Sequence, residues 1–249
     1  MTKSIHWAVT TMVGMAMTSA FSTATASESQ PVVVELFTSQ SCYSCPPAEA
    51  YLGELAKDPN ILALEWHVDY WDSLVYGSAG RWKDPFSSPS YTERQAEYNF
   101  AISGSSRIYT PQMIIDGAAE AVGSRRAEVA RVIASASEQA KPVHMAIRPS
   151  DGSSLQIDID GTIDTPATVW LVQFIPAHTT DVLRGENHGK TLTNHNIVTG
   201  VDRLAEWKGG PLTLTVDRPD GDLGCAVLVQ RGASSPIYAA QNCNAAKTS

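Results

Sequence analysis

The segment from residue 31 to about residue 56 places the strongest constraint on the fold. It begins with the β-branched run PVVVELFTS, continues with SCYSCPP, and ends with AEAYLGELA. The dense apolar run predicts a buried strand, and apolar residues at helical spacing predict a helix after the two prolines. Cys42 and Cys45, which are two residues apart in SCYSC, are therefore expected between a buried strand and the start of a helix.

The rest of the chain divides into two parts with different hydrophobic patterns. Strand-like and helix-like segments alternate from residue 31 to residue 141, which predicts an α/β domain. From residue 142 to residue 249 the pattern changes to short alternating runs separated by Gly, Pro, Asp and Ser, as in SLQIDIDG and PLTLTVD. This second pattern predicts a mostly antiparallel, β-sandwich-like domain. Within it, VDRLAEW is predicted to form a helix.

The first 26 residues have the three parts of a secretory signal peptide. Lys3 is an early cation, an apolar stretch runs from Trp7 to Met17, and Ala24-Thr25-Ala26 is a small-x-small cleavage site. The apolar stretch is too short for a permanent membrane helix. We therefore expect a periplasmic or secreted protein with no membrane anchor after processing.

The net charge and the number of cysteines limit the possible partners and the state of the cysteines. The net charge of −8 and the lack of basic clusters argue against nucleic acid as a partner. The four cysteines form an even set, which in an oxidising compartment favours disulfides.

The Cys42–Cys45 pair has three interpretations. A position at a helix N-terminus favours the thiolate of Cys42, which predicts a redox-active dithiol with Cys42 as the outer nucleophile and Cys45 as the buried resolving thiol. A permanent structural disulfide is the second interpretation. The third is a metal site, for which zinc lacks further ligands in this domain and copper would need His67 as the only nearby histidine. We predict no metal and no cofactor.

These features resemble the thioredoxin-like superfamily. The resemblance rests on the strand VVVELF, the motif Cys42-Tyr43-Ser44-Cys45, the helix after it, and Thr110-Pro111 before a third strand. With WHVDYWD, WKDPFSSPSYTERQ, YTPQMIIDG and RGENHGKTL, the chain also resembles a family of secreted bacterial proteins, thioredoxin-like with a domain of unknown function. The resemblance implies thiol–disulfide exchange with protein thiols or disulfides in the periplasm.

The resemblance also assigns roles to single residues. It implies a cis bond before Pro111, which would pack against the disulfide and hold the substrate backbone. Glu35, seven residues before Cys42, would exchange a proton with Cys45, although thioredoxins carry their acid six residues before the first cysteine. Alternatively, Glu35 is paired with an Arg or a Tyr. For substrate binding we predict Tyr43, Thr110 and Trp82; Trp82 alternatively covers the core.

Two further regions remain open to more than one interpretation. Cys225 and Cys243 bracket a strand and a turn, away from any predicted helix N-terminus, and are predicted to form a structural disulfide. The alternative is a second redox pair. The stretch HTTDVLRGENHGKTLTNHN concentrates polar residues that line a cleft facing the dithiol, hold a cation, or form an inter-strand hydrogen-bond network.

Overall fold

A computed structural model describes residues 30–151, 153–232 and 234–243, and in these ranges the chain forms three α-helices and eleven strands. The helices are α1 (Pro46–Leu55), α2 (Pro89–Ser103) and α3 (Arg126–Ser137). The strands are β1 (Val32–Thr38), β2 (Ile61–His67), β3 (Gln112–Ile115), β4 (Ala119–Val122), β5 (Val143–Pro149), β6 (Ser154–Gly161), β7 (Ala167–Asp181), β8 (Thr191–Trp207), β9 (Leu212–Asp217), β10 (Gly224–Gln230) and β11 (Ile237–Asn242). The predicted signal peptide lies outside the described residues.

Most strands belong to one mixed sheet with the order β11-β10-β7-β8-β2-β1-β3-β4. The first two strands, β1 and β2, are parallel, with α1 in the connection between them. Strand β3 runs antiparallel to β1, and β4 runs antiparallel to β3. The buried run VVVELFT thus becomes a central strand, as its β-branched composition predicts.

The alternation of side chains along β1 gives the sheet two different faces. Val34 and Leu36 pack with α1 and α3, together with Ala48, Leu52 and Val129. Val33 and Phe37 point to the other face and pack with aromatic residues of β2 and α2: Trp66, Tyr91 and Tyr98. Because strand residues alternate between faces, Glu35 lies on the α2 face and Thr38 lies on the α1 face.

Four strands of the β-rich part, β7, β8, β10 and β11, belong to the same sheet as β1–β4 and do not form a separate sheet. Strands β7 and β8 form a long antiparallel pair, and β8 meets β2 in parallel at Ile197 opposite Glu65. A second sheet, β5-β6-β9, packs its apolar face on β7, β10 and β11. An α/β part and a β-rich part are therefore both present, while the domain boundary near residue 142 stays a prediction.

The predicted helix at VDRLAEW is wrong, because these residues are the last part of β8. They pair with β7 from Val201 opposite Val172 to Trp207 opposite Ala167, with irregularities at two points of the ladder. A seven-residue helix is marginal in water without tertiary support. A continuous partner strand therefore outweighs the local helical preference of Leu, Ala and Glu.

Within the ranges that the structure describes, no helix combines the length and the apolar character needed to cross a membrane.

Candidate functional site

The cysteine pair lies where β1 ends and α1 begins. Cys42 and Cys45 form a disulfide within this connection. The connection is a tight turn, in which the N–H of Cys42 donates to Ser39 O at 3.0 Å and the N–H of Cys45 donates to Cys42 O at 3.2 Å. Cys45 is the N-cap residue of α1, and Pro46 begins the helix. The disulfide thus occupies the N-terminal end of α1, as the sequence pattern predicts.

Both cysteines are completely buried, whereas Tyr43 between them is 66% exposed. The expectation that Cys42 is the outer thiol is therefore wrong for this oxidised state. The local sequence could not predict this burial, because a segment about 140 residues further along the chain packs against the loop of residues 39–45, which we call the cysteine loop.

That cover is the connection between β7 and β8, residues 182–190, which we call the covering segment. Asn187 is buried, and its side-chain amide donates to the carbonyl oxygens of both Gln40 and Cys42, at 2.9 Å each. The carboxylate of Glu186 accepts the N–H of Tyr43 at 2.8 Å, and Lys190 Nζ lies 4.3 Å from the centre of the Tyr43 ring. The polar run HTTDVLRGENHGKTLTNHN therefore faces the cysteine loop and bonds to it.

Gly185 allows the covering segment to approach this closely. Its φ is +78°, in the left-handed region, and a Cβ there would lie 2.9 Å from Trp82 Cβ and 3.3 Å from Ser41 Oγ. Trp82 itself is half-buried, and its Nε1 donates to Gln40 Oε1 at 3.3 Å. Trp82, predicted to bind substrate, is thus packed between the cysteine loop and the covering segment.

A cluster of ionisable side chains is buried on the α1 face of the sheet, and we call it the Glu49 cluster: Glu49, Glu65, His67 and Asp84. Thr38 Oγ1 donates to Glu49 Oε1 at 2.7 Å. His67 Nδ1 lies 2.7 Å from Asp84 Oδ2, and His67 Nε2 lies 3.3 Å from Glu65 Oε1. The cluster is therefore assembled from α1, β2 and the segment before α2.

Main-chain and amide groups tie this cluster to the cysteine loop and to β8. The N–H of Gln40, two residues before Cys42, donates to Asp84 Oδ2 at 2.7 Å. Asn194 Nδ2 and the N–H of His195, both on β8, donate to the two carboxylate oxygens of Glu65 at 2.6 and 2.9 Å. The Glu49 cluster thus lies directly behind the cysteine loop.

The groups of the cluster hold different charges. Burial, followed by the charge of Glu65, raises the pKa of Glu49 to about 8. Burial alone would lower the pKa of His67, but the charge of Asp84, the hydrogen bond to Asp84 and the proximity of Glu65 outweigh it and raise that pKa well above its ordinary value. Burial opposes ionisation of Asp84, yet His67 and two main-chain N–H groups lower its pKa. Near neutral pH, Glu49 therefore carries a proton beside an imidazolium–carboxylate pair.

Glu35 lies on the other face of the sheet and has strong partners there. Arg94 Nε donates to Glu35 Oε1 at 2.9 Å, and the hydroxyl of Tyr98 donates to Oε2 at 2.6 Å. Gln230 of β10 joins this network through Tyr98, at 2.7 Å. Of the two interpretations of Glu35, the structure shows the paired carboxylate; its catalytic role stays a prediction.

Pro111 and Thr110 are at the start of β3, next to β1 in the sheet. The Thr110–Pro111 peptide bond is cis, and Pro111 is buried. The hydroxyl of Thr110 accepts a hydrogen bond from Trp71 Nε1 at 2.8 Å. Of the three residues predicted to bind substrate, Tyr43 is exposed, and Thr110 and Trp82 are half-buried.

Cys225 and Cys243 form the second disulfide. Cys225 is in β10 and Cys243 follows β11, and both are buried in the apolar cluster between the two sheets. In the described ranges, no group of three or more His, Cys, Asp and Glu side chains is arranged to hold a metal ion. His67, considered above as a copper ligand, is instead a buried partner of Asp84.

The sequence reasoning missed Glu49. It lies four positions after Cys45, but an acidic residue in the first turn of a helix is common, because the positive end of the helix dipole stabilises a negative charge. Its significance comes from burial against Glu65, His67 and Asp84, which are 16 to 35 residues away in the chain. A helical pattern in which Ala48, Glu49 and Leu52 share one buried face is the only local signal.

Comparisons with known proteins agree with this architecture. Residues 33–230 match the family model described as "Protein of unknown function (DUF1223)", and the chain belongs to that family. A crystal structure of a protein from Agrobacterium tumefaciens is similar, with 29% sequence identity and a TM-score of 0.73. That similarity covers 90% of this chain and 99% of the Agrobacterium chain. No curated protein matches.

Proposed function

We propose that this chain is an exported thiol–disulfide oxidoreductase, in which a thioredoxin-like region carries Cys42 and Cys45 as its redox dithiol. One observation carries the proposal: the two cysteines form a disulfide at the N-terminal end of α1, at the point where the buried central strand β1 ends. The dipole of a helix N-terminus favours a thiolate there, although Pro46 and Pro47 contribute no N–H group to it.

The arrangement of the first four strands supports the thioredoxin-like assignment. The order β2-β1-β3-β4, with β1 and β2 parallel and β3 and β4 antiparallel, places α1 and α3 against one face and α2 against the other. Pro111 directly precedes β3, which pairs with β1. The second disulfide, Cys225–Cys243, is in keeping with an oxidising compartment such as the periplasm.

The proposed reaction needs only the chain's own sulfurs and those of a substrate protein. A substrate thiolate attacks Cys42 Sγ, the Cys42–Cys45 bond breaks, and a mixed disulfide with Cys42 forms while Cys45 leaves as a thiolate. In the reverse direction, Cys45 resolves the mixed disulfide and releases the substrate thiolate. No cofactor is required, because the electron pair passes from sulfur to sulfur.

Burial of both cysteines adds one requirement, since attack on a disulfide depends on access to its sulfur. The covering segment is held to the loop by Asn187, Glu186 and Lys190. In the proposed function this segment moves aside before a protein substrate reacts. Tyr43, which is exposed, and the half-buried Thr110 and Trp82 would then border the opened site.

The same burial favours a second candidate function, a non-catalytic binding module in which Cys42–Cys45 is a permanent staple. Copper delivery, the other alternative, has less support because His67 is engaged by Asp84. If Cys42–Cys45 is a permanent structural disulfide, dithiothreitol should not reduce it in the folded protein. The proposed oxidoreductase predicts rapid reduction of that pair.

A direct test measures how fast glutathione reduces a disulfide-linked reporter peptide in the presence of the wild-type protein or of Cys42→Ser. The matched control is the double variant Cys225→Ala/Cys243→Ala, which removes the other disulfide. We expect loss of turnover in Cys42→Ser and retention in the control. Equal turnover in wild type and Cys42→Ser would contradict the proposed function.

A further inference from the structure

Glu49 is placed beside Cys45 by the geometry of α1. Cys45 already has helical backbone angles, φ −79° and ψ −38°, and its carbonyl accepts the N–H of Glu49 at 3.2 Å. Residues four apart on a helix are neighbours on one face, with Cβ atoms about 5–6 Å apart. Glu49 is therefore the first acidic residue of α1 and lies on the helix face that continues from Cys45.

The surroundings of Glu49 favour a carboxyl group that holds and releases one proton. Glu49 is buried, and the hydroxyl of Thr38 donates to its Oε1 at 2.7 Å. The charged groups that face it come from β2 and the segment before α2, and they are Glu65, His67 and Asp84. Glu35, in contrast, has both carboxylate oxygens engaged by the strong donors Arg94 and Tyr98 on the other face of the sheet.

We propose that Glu49 exchanges a proton with Cys45 Sγ during thiol–disulfide exchange, the role that the family resemblance assigns to Glu35. This inference rests on the proposed function. Support comes from the pKa of Glu49, which burial and Glu65 raise to about 8, close to that of an ordinary thiol near 8.5. Proton transfer between groups of similar pKa costs little free energy, which is the condition for efficient general acid–base catalysis.

The step balances in both directions. When a substrate thiolate attacks Cys42 Sγ, the electron pair of the broken S–S bond moves to Cys45 Sγ, and the proton of Glu49 transfers to it. The products are the mixed disulfide on Cys42, the Cys45 thiol and the Glu49 carboxylate. In reverse, the Glu49 carboxylate takes the Cys45 proton, Cys45 attacks Cys42 Sγ, and the substrate leaves as a thiolate.

The test measures the rate at which dithiothreitol reduces the Cys42–Cys45 bond in the whole chain between pH 5 and pH 10. Rates are divided by the concentration of dithiothreitol thiolate, so that only the protein's own titration remains. For the wild type we expect a rate that is constant at low pH and falls above about pH 8, where Glu49 loses its proton.

Glu49→Gln should lower this normalised rate by about 10²-fold at neutral pH and remove the fall above pH 8. Glu49→Asp keeps a carboxyl group and should restore the inflection. Glu54→Gln is the matched control on the same helix, because Glu54 is exposed and pairs with Arg126; it should behave as wild type. A Glu49→Gln variant with the wild-type rate and profile would overturn the assignment.

The same experiment distinguishes an error in the role of Glu49 from an error in the proposed oxidoreductase function. If dithiothreitol does not reduce the folded wild type at any pH, then both the oxidoreductase and the role of Glu49 are wrong. If Glu49→Gln does not fold, infrared spectroscopy of the wild type decides instead. Loss of a carboxylic acid C=O band near pH 8, with a midpoint that moves on reduction of Cys42–Cys45, supports the proposal, and a midpoint that does not move overturns it.

Discussion

The two disulfides of this protein have opposite surroundings. Cys42–Cys45 closes a tight turn at the N-terminal end of α1, and the buried Glu49 cluster lies behind it. Cys225–Cys243 joins β10 to the end of β11 inside an apolar cluster that includes Val227 and Ala239. Both bonds are buried, so exposure does not separate them. Buried ionisable groups and the hydrogen bonds of the covering segment lie beside the first bond, whereas apolar side chains surround the second.

The largest expected effect follows from removing the first bond. Cys42→Ser deletes the sulfur that a substrate would attack, so turnover of a disulfide-linked reporter peptide should fall to the rate of the uncatalysed reaction. Cys45→Ser should instead trap a mixed disulfide on Cys42, detectable by mass spectrometry. Absence of that adduct, with the wild type active, would contradict the assignment of Cys42 as nucleophile.

The next effect concerns Glu35, which is buried on the α2 face of the sheet, opposite to the face where Glu49 lies. Arg94→Met leaves Glu35 buried without its cation and should lower the free energy of unfolding by about 3–5 kcal/mol. The measurement is urea denaturation of the oxidised protein. A change below about 1 kcal/mol would mean that Arg94 does not neutralise Glu35.

Removing the second disulfide should affect stability and not exchange. The loop closed by Cys225 and Cys243 spans 18 residues, for which the chain-entropy model gives about 3 kcal/mol. Cys225→Ala/Cys243→Ala should therefore unfold at lower urea concentration while Cys42–Cys45 reacts at the wild-type rate. A comparable loss of exchange would show that the second bond is also a redox pair.

Glu49 should make stability depend on pH. Because the pKa of Glu49 is about 8 in the folded protein and ordinary in the unfolded chain, the folded state binds more protons between pH 5 and pH 8. Stability therefore falls as pH rises through this range, and His67, whose pKa is also raised, contributes in the same direction. Glu49→Gln should reduce the slope by up to about 1.4 kcal/mol per pH unit, measured by urea denaturation at several pH values.

The smallest effect tests the covering segment. Asn187→Ala removes two hydrogen bonds to the cysteine loop, each with a net contribution of about 1 kcal/mol, and should raise the rate of reduction by dithiothreitol by up to about 30-fold. Thr191→Ala, at the exposed start of β8, is a control that leaves these bonds intact. A lower rate in Asn187→Ala would show that the segment supports the reactive loop rather than restricting access to it.

Local patterns were sufficient to predict the central strand, the helix after Cys45 and the change to a β-rich composition. Each of these depends on periodicity within about ten residues, which the sequence displays directly. The misassigned VDRLAEW shows the limit, because its local preference is helical and only the pairing with β7 makes it a strand.

The candidate site was harder to predict because the residues around it are distant from Cys42 and Cys45 in the sequence. The pair Cys42–Cys45 is visible as a motif, but the groups that bury it, Asn187 and Glu186, are about 140 residues away. Likewise, burial gives Glu49 its raised pKa, and burial depends on where β2 and the segment before α2 pack. The position of Glu35 in β1 suggested a proton-exchanging acid, but the sequence does not show that Arg94 from α2 pairs with it.

The most direct test of the central claim is the reduction potential of the Cys42–Cys45 couple, measured in glutathione buffers with trapping of free thiols. The Cys225→Ala/Cys243→Ala variant isolates this couple from the second disulfide. An exchange catalyst predicts a value between about −120 and −270 mV. A value below about −300 mV would contradict the account and would make Cys42–Cys45 a structural bond.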